Sequence, residues 1–538
     1  MAHILESSTD SMLKESVSIK HLLSSSATTI SPIWQCQALL EKLGSDLVLL
    51  PDSTQYQASN KAYFANQQSE LHPYCIVTPR TAQEVSTILT TVLPFFRTSD
   101  TAQPFKYCPI AIRSGGHFYF AGTSNVDNGI TIDLRALNNI ELRSDQNVVS
   151  IGPGAKWGDV YSILDPLHLI VAGGRAAQVG VGGLTLGGGI SYFSPRYGWT
   201  CDSIVRAEIV IADGSVITVD EDHREDILIA LRGGGSNFGI VTSFDMRVYS
   251  QGLVFGGMVY HPIETIDEQL KAVSEISSET FEDGFARGYD VNASLITSFG
   301  YAGKRGSAVV NSMVYTDTSS TKEGEEFSIP EVYKSILELP QRSSTLRVAP
   351  LREITIEQGS FSPDGRRQLS VVTTHDTTVA MLQATYNRWH NSLGSIRDIP
   401  GIVWSISLQP LPAAIYQGRK NAMGLAETNK SLIITLLSAS WDNTQDDEKV
   451  EEAARALSVG IDDDARQLDA YHPYVYPNYA AEWQDPIASY GAEAVEKLRR
   501  VSREVDPEGV FRKIVPRGFK IPSKFLDTDG EAGELLRC

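Results

Sequence analysis

Only five cysteines occur in 538 residues, at positions 36, 75, 108, 201 and 538, and no two of them form a CxxC pair. Thioredoxin-type redox pairs and the common zinc frameworks lose their main support on that ground. No HExxH or comparable histidine cluster is present either, which argues against a metal enzyme. Basic residues are scarce: 46 Lys plus Arg stand against 65 Asp plus Glu, a net charge of −19, with no basic run. Neither nucleic acid nor an anionic membrane surface is an expected partner. No apolar segment is long enough to cross a bilayer, and residues 1–30 are serine-rich without the cationic start and apolar middle of a secretory signal. A cytoplasmic protein with free thiols is the resulting expectation, and a Cys36–Cys108 disulfide would contradict it.

The common nucleotide motifs are missing as well. A GxGxxG pattern from Gly180 fails at Thr185, one from Gly233 fails at Phe238, and GxxxxGK[ST] occurs nowhere. Rossmann and P-loop architectures are thereby set aside.

What the chain does have is a packed globular composition, 42% hydrophobic and 9% aromatic, at a length that predicts two to three domains. Residues 1–30 read as a frayed leader, and Trp34 to Leu50 as a short amphipathic helix leading to a strand. Thr81-Ala82-Gln83-Glu84 is a capping box, followed by Val85, Ile88, Leu89, Val92 and Phe96 at helical spacing. Short strands then alternate with short helices, among them 110–112, 130–134 and 148–151, a helix from Trp157 to Leu164, and a hairpin turning at Asp213-Gly214. Beyond Gly252 the glycine density falls, and strands such as 308–315, 401–408 and 432–438 alternate with helices such as 378–393 and 448–457. The pattern predicts an α+β fold. Its parts are a leader with the start of the first domain (1–70), that domain proper (71–250), a second sheet covered by helices (253–470), and a tyrosine-rich tail (471–525).

Three glycine clusters lie in the first domain: Gly115-Gly116, the run from Gly180 to Gly189, and Gly233 to Gly239. Each alone is satisfied by a turn. Three within ~125 residues fit one extended ligand approached by backbone at several places, because glycine leaves no Cβ in the way. The apolar strand before Arg113-Ser114-Gly115-Gly116-His117 would deliver a loop suited to an anion such as a pyrophosphate, with Arg113 adding positive charge and His117 beside the ligand.

Together with Val179-Gly180-Val181-Gly182-Gly183, Gly187-Gly188-Gly189 and Asn237-Phe238-Gly239-Ile240-Val241, that loop resembles the FAD-binding domain of vanillyl-alcohol-oxidase-type flavoproteins. Tyr476-Pro477-Asn478-Tyr479, Tyr490-Gly491, Asp506-Pro507 and Phe511 resemble the tail of berberine-bridge-enzyme-like oxidoreductases, in particular the FAD-linked enzymes of fungal secondary metabolism. The likeness runs from about Cys36 to Pro522. It implies FAD bonded covalently to His117, with Arg113, Ser114, Gly115 and Gly116 at the pyrophosphate. Gly182, Gly183, Gly188 and Gly189 would lie along the cofactor, Val241 by the adenine, and Asn478 and Tyr479 at the isoalloxazine ring. Val179 matches the position that screens the flavin from dioxygen, and a small valine there implies an oxidase.

There are departures. The cysteine by which many relatives make a second flavin bond is absent from Ala176-Ala177-Gln178-Val179-Gly180. A tyrosine that assists proton removal in some relatives becomes Ile190, and an acidic or amide residue on a substrate-domain strand becomes Leu436. Tyr479 and Tyr119 are the remaining candidate bases, with Tyr192 a weaker one; for each, a packed aromatic with a satisfied hydroxyl is the competing reading. His375 beside Asp376 reads either as a base held by a carboxylate or, more simply, as a surface pair at a strand end. The resemblance thus implies an FAD oxidase that takes hydride from a small natural-product intermediate to flavin N5, with dioxygen as second substrate. Oxidative cyclisation and non-catalytic binding on the same fold are the alternatives.

Overall fold

The computed structural model describes residues 33–97, 108–282, 285–318 and 327–522. The leader at 1–30 and Cys538 lie outside them, and Phe96 is outside those whose side chains are described.

The first lobe is a four-stranded sheet in the order Val48–Leu49, Cys75–Val77, Ile130–Asp133, Ile110–Arg113, whose last three strands are parallel. Helix Ala82–Arg97 starts with the capping box read from the sequence: the Glu84 carboxylate accepts the Thr81 N–H (3.2 Å) and Thr81 Oγ1 accepts that of Glu84 (3.1 Å). Its Val85, Ile88, Leu89 and Val92 are buried in the core of this lobe. One expectation is overturned here. Cys36, on helix Ile33–Leu43, is disulfide-bonded to Cys75, while Cys108 and Cys201 are buried free thiols. The helix packs against helix Ala82–Arg97 and strand Val48–Leu49, the strand paired with Cys75–Val77, a tertiary neighbour relation that spacing along the chain does not reveal.

The second lobe is an antiparallel five-stranded sheet, Ile140–Leu142, Val148–Ile151, Ile240–Arg247, Ile204–Val210, Val216–Asp220.

A large antiparallel sheet forms the third part. Its main strands run in the order Val254–Pro262, Ser307–Tyr315, Ala293–Ala302, Val403–Leu411, Leu432–Trp441, Arg367–His375. Alternation sorts its two faces. Leu295, Phe299, Trp404, Ile406, Leu408 and Leu437 face a core closed by helices Ile266–Ile276, Val379–Ile396 and Asp447–Gln467. The alternate residues face the lobes described above.

The tail stitches these parts together. Tyr471–His472 pairs with the end of strand Arg367–His375, helix Ala492–Val505 packs on helix Glu225–Leu231, and the Ile514 carbonyl accepts the N–H of Ile110. Asp506 stops the tail helix and accepts the N–H groups of Val510 (2.7 Å) and Phe511 (2.9 Å). No helix among the described residues is long and apolar enough to cross a membrane.

Candidate active site

A cavity of about 810 Å³ lies between the two lobes and the open face of the large sheet. Ser114, Gly115, Gly116, His117, Tyr119, Val179, Gly182, Gly183, Val241, Asn478 and Tyr479 all line it. Residues from 114 to 479 meet there because the strand Ile110–Arg113, the helix Val181–Leu186 and the returning tail end at one place.

Glycine is required at the closest approach. A Cβ on Gly115 would stand 2.6 Å from the Gly180 Cα, and one on Gly180 would meet Gly115 equally closely. Ser114 Oγ ties the two segments by donating to the Pro153 carbonyl (2.6 Å) and accepting the N–H of Gly182 (3.2 Å). Gly183 is different: nothing lies within 4 Å of where its Cβ would be, so the open side of that helix is free for a ligand.

The His117 ring stacks on Phe64, 3.9 Å between centroids and 12° between planes. Its Nε2 is buried and has no hydrogen-bond partner among the described residues. Burial lowers its pKa to about 4, the main cause being loss of solvation and a smaller one the charge of Lys156. An orphaned, neutral imidazole in the wall of a glycine-lined groove fits a group that bonds to the ring itself.

Three of the expected ligand residues, Arg113, Gly188 and Gly189, are not among those that line the cavity. The Arg113 side chain is fully buried and turns away from the cavity: it donates to the carbonyls of Ser59 (2.8 Å) and Ala62, lies over the Tyr63 ring at 3.7 Å, and is 3.7 Å from Asp133. Its charge braces residues 59–63 beneath the loop. Gly188 and Gly189 also face away, toward Met423 and Thr200; their φ values of +99° and +83° show that they turn the chain out of the helix.

The tail brings the catalytic candidates. Asn478 Nδ2 donates to the Leu184 carbonyl and the Tyr476 hydroxyl, both at 3.0 Å. Arg175 Nη2 donates to the Tyr479 hydroxyl (2.7 Å) and to Gln409 Oε1 (2.5 Å), and the Tyr479 hydroxyl in turn donates to Gln409 Oε1 (3.3 Å). Arg175 and Gln409 were not identified from sequence. Arg175 is the only charged residue between Leu169 and Pro195, a signal that was there to be read. Gln409 supplies, from the strand beside Leu436, an amide on the open face that position 436 lacks.

Tyr119 meets Phe64 edge-on at 5.5 Å, and burial, with a smaller effect of nearby Tyr479, raises its pKa above the usual range. Tyr192 is buried, donates to Gln358 Oε1 (3.3 Å), and is pushed up to about 12 by burial. Ile190 and Leu436 line the cavity with apolar side chains. His375 is neither a surface residue nor held by the Asp376 carboxylate. It is fully buried on the helix-covered face, with Nδ1 2.9 Å from the Asp376 carbonyl and Nε2 2.7 Å from Thr435 Oγ1.

Residues 73–220 match the family profile of an FAD binding domain. The chain is 34% identical over 495 residues to the FAD-dependent monooxygenase sdcF of Emericella nidulans, covering 90% of this chain and 98% of that protein. It belongs to the FAD-linked oxidoreductases of vanillyl-alcohol-oxidase and berberine-bridge type, in their fungal secondary-metabolism branch. This flavoenzyme is also 36% identical over 492 residues to "Oligopeptidase PhomG'" of Diaporthe leptostromiformis, of whose length it spans 37%. Among solved structures, it resembles 6-hydroxy-D-nicotine oxidase of Arthrobacter nicotinovorans (21% identity, TM-score 0.69, 89% of this chain and 98% of that one). It is similar also to glucooligosaccharide oxidase of Acremonium strictum (19%, 0.69, 90% and 98%), whose FAD is described as 6-S-cysteinyl, 8α-N1-histidyl. The cofactor of this oxidoreductase is FAD, and the groove fits it: the unpartnered His117 nitrogen and the Gly115, Gly180 and Gly183 backbone are the features such a group needs.

Proposed function

We propose that the flavoenzyme is an oxidase of a small natural-product intermediate, holding FAD covalently through His117 and using dioxygen as final acceptor. The observation that carries this reading is the Arg175–Gln409–Tyr479 cluster lining the same cavity as the orphaned His117. Bound in the groove, FAD supplies the two-electron acceptor for a substrate C–H bond.

The chain's own residues would do the rest. His117 is neutral at physiological pH because burial opposes its protonation, so a ring nitrogen keeps the lone pair that covalent attachment needs. Ser114 holds the loop against Gly182, and Asn478 holds the tail against the helix Val181–Leu186. Tyr479 would take the substrate proton. Arg175 donates to its oxygen, which places a fixed cation where charge changes during proton transfer. Gln409 accepts from both partners and fixes the direction of the phenol. Burial holds the proton on Tyr119, which makes that residue the poorer base and a wall of the site. Val179, at the groove surface, leaves room for dioxygen.

Monooxygenation is the second reading, favoured by the names of several relatives at 29–35% identity. Acid precipitation tests the anchor: flavin should stay in the wild-type pellet and leave that of His117→Ala. Turnover under ¹⁸O₂ separates the chemistries. Labelled peroxide with unlabelled product supports the oxidase, whereas one labelled oxygen in the product establishes the monooxygenase.

A further inference from the structure

The open face of the large sheet has a composition of its own. Ser298, Ser312, Ser405, Ser407, Ser438 and Ser440 face the cavity from four strands, while the alternate positions are the apolar core of the opposite side. The central four are paired across strands: Ser298 Oγ with Ser407 Oγ at 2.7 Å, and Ser405 Oγ with Ser438 Oγ at 2.9 Å. In the Ser298–Ser407 pair one hydroxyl donates and the other keeps its hydrogen, which leaves the cavity one donor and several lone pairs; Ser405 Oγ also reaches the Ser438 carbonyl (3.4 Å), so the second pair offers the cavity mainly lone pairs. Such a floor satisfies hydroxyl and carbonyl groups alike, and its short side chains leave a broad, shallow surface.

The charges of the cavity are one-sided. In a chain of 65 Asp plus Glu against 46 Lys plus Arg, no carboxylate lines the cavity among the described residues; its formal charges are Arg175, Arg305 and Arg342. Arg305 and Arg342 are exposed at the rim, and neither has a carboxylate partner among the described residues. Tyr260, Tyr301 and Phe361 line the same region.

From this arrangement we infer that the substrate is a multiply hydroxylated aromatic compound carrying one carboxylate, its hydroxyls on the serine floor and its carboxylate at Arg305 and Arg342. The inference rests on the large sheet being the substrate side of the oxidoreductase proposed above. Isothermal titration calorimetry of the purified holoenzyme tests it without turnover. The probes are 3,5-dihydroxy-2-naphthoic acid, its methyl ester, and 2-naphthoic acid. The dihydroxy acid should bind about tenfold tighter than the ester, the sum of two rim ion pairs of ordinary strength. Arg305→Gln with Arg342→Gln should erase that preference while leaving ester affinity in place. The dihydroxy acid should also bind about three- to tenfold tighter than 2-naphthoic acid, and Ser407→Ala should reduce this advantage. Equal affinity for acid and ester, a preference that survives the double arginine variant, or no heat from any of the three overturns the inference. Flavin content and peroxide release, measured on the same preparation, report separately on the oxidase reading.

Discussion

The glycine-lined groove and the serine-lined sheet face each other across one cavity, yet they are built on opposite rules. In the groove, backbone meets backbone, so the identity of a residue is dictated by the space a Cβ would need. Gly115 and Gly180 have no alternative. On the sheet, the strand pairing is indifferent to what points into the cavity. Serine, leucine, valine and glutamine share the open face, and only the ligand selects among them. The groove is therefore rigidly specified and the floor is free to vary.

The sharpest way to break that contrast is at the point where the two regions touch. Tyr479→Phe should lower kcat by about 10²- to 10⁴-fold, the usual worth of a positioned acid–base group, and Arg175→Met by about 10²- to 10³-fold with a smaller change in KM. Steady-state peroxide release checks both. A loss carried by KM alone would move Arg175 from proton transfer to substrate binding.

Next in size is the anchor of the first lobe. Cys36→Ser should reduce stability by about 2–4 kcal/mol in denaturant unfolding, and reductant should bring the wild type to the same midpoint.

Acid should act on buried imidazole in every part of the molecule. His375, away from the cavity, has its folded pKa lowered to about 4 by burial. The unfolded chain therefore binds the extra proton first, near pH 6.5, and stability falls as pH drops from there toward 4. His375 alone should cost about 2 kcal/mol between pH 7 and pH 5. Unfolding free energies at the two pH values should show a smaller difference in His375→Gln.

Two alanine substitutions within the groove sharpen the comparison further. Gly115→Ala forces backbone apart and should cost about 1–3 kcal/mol together with flavin. Gly183→Ala, in a helix and with open space before it, should stabilise the fold by about 0.5–1 kcal/mol yet lower flavin content, because its methyl enters the groove. The smallest effect belongs to the floor: Ser407→Ala removes one cross-strand hydroxyl pair and should change stability by about 1 kcal/mol or less.

The sequence by itself determined the groove. Clustered glycines, the strand leading into the 113–117 loop, the capping box at Thr81 and the alternation in strands such as 308–315 are local patterns, and local backbone geometry decides them. Tertiary structure decided the rest. Arg175 lies 234 positions from Gln409 and 304 from Tyr479, and nothing along the chain couples them until the tail folds back over the helix Val181–Leu186. The same holds for Cys36, which pairs with Cys75 because the folded chain brings its helix beside that sheet, and for His375, which lies on the buried face. Arg113 makes the point most plainly: its place in the motif suggested a phosphate ligand, but the carbonyls of Ser59 and Ala62 and the ring of Tyr63 surround its guanidinium first. A motif fixes where the backbone goes; which way a long side chain turns depends on the partners that only the folded chain brings within reach.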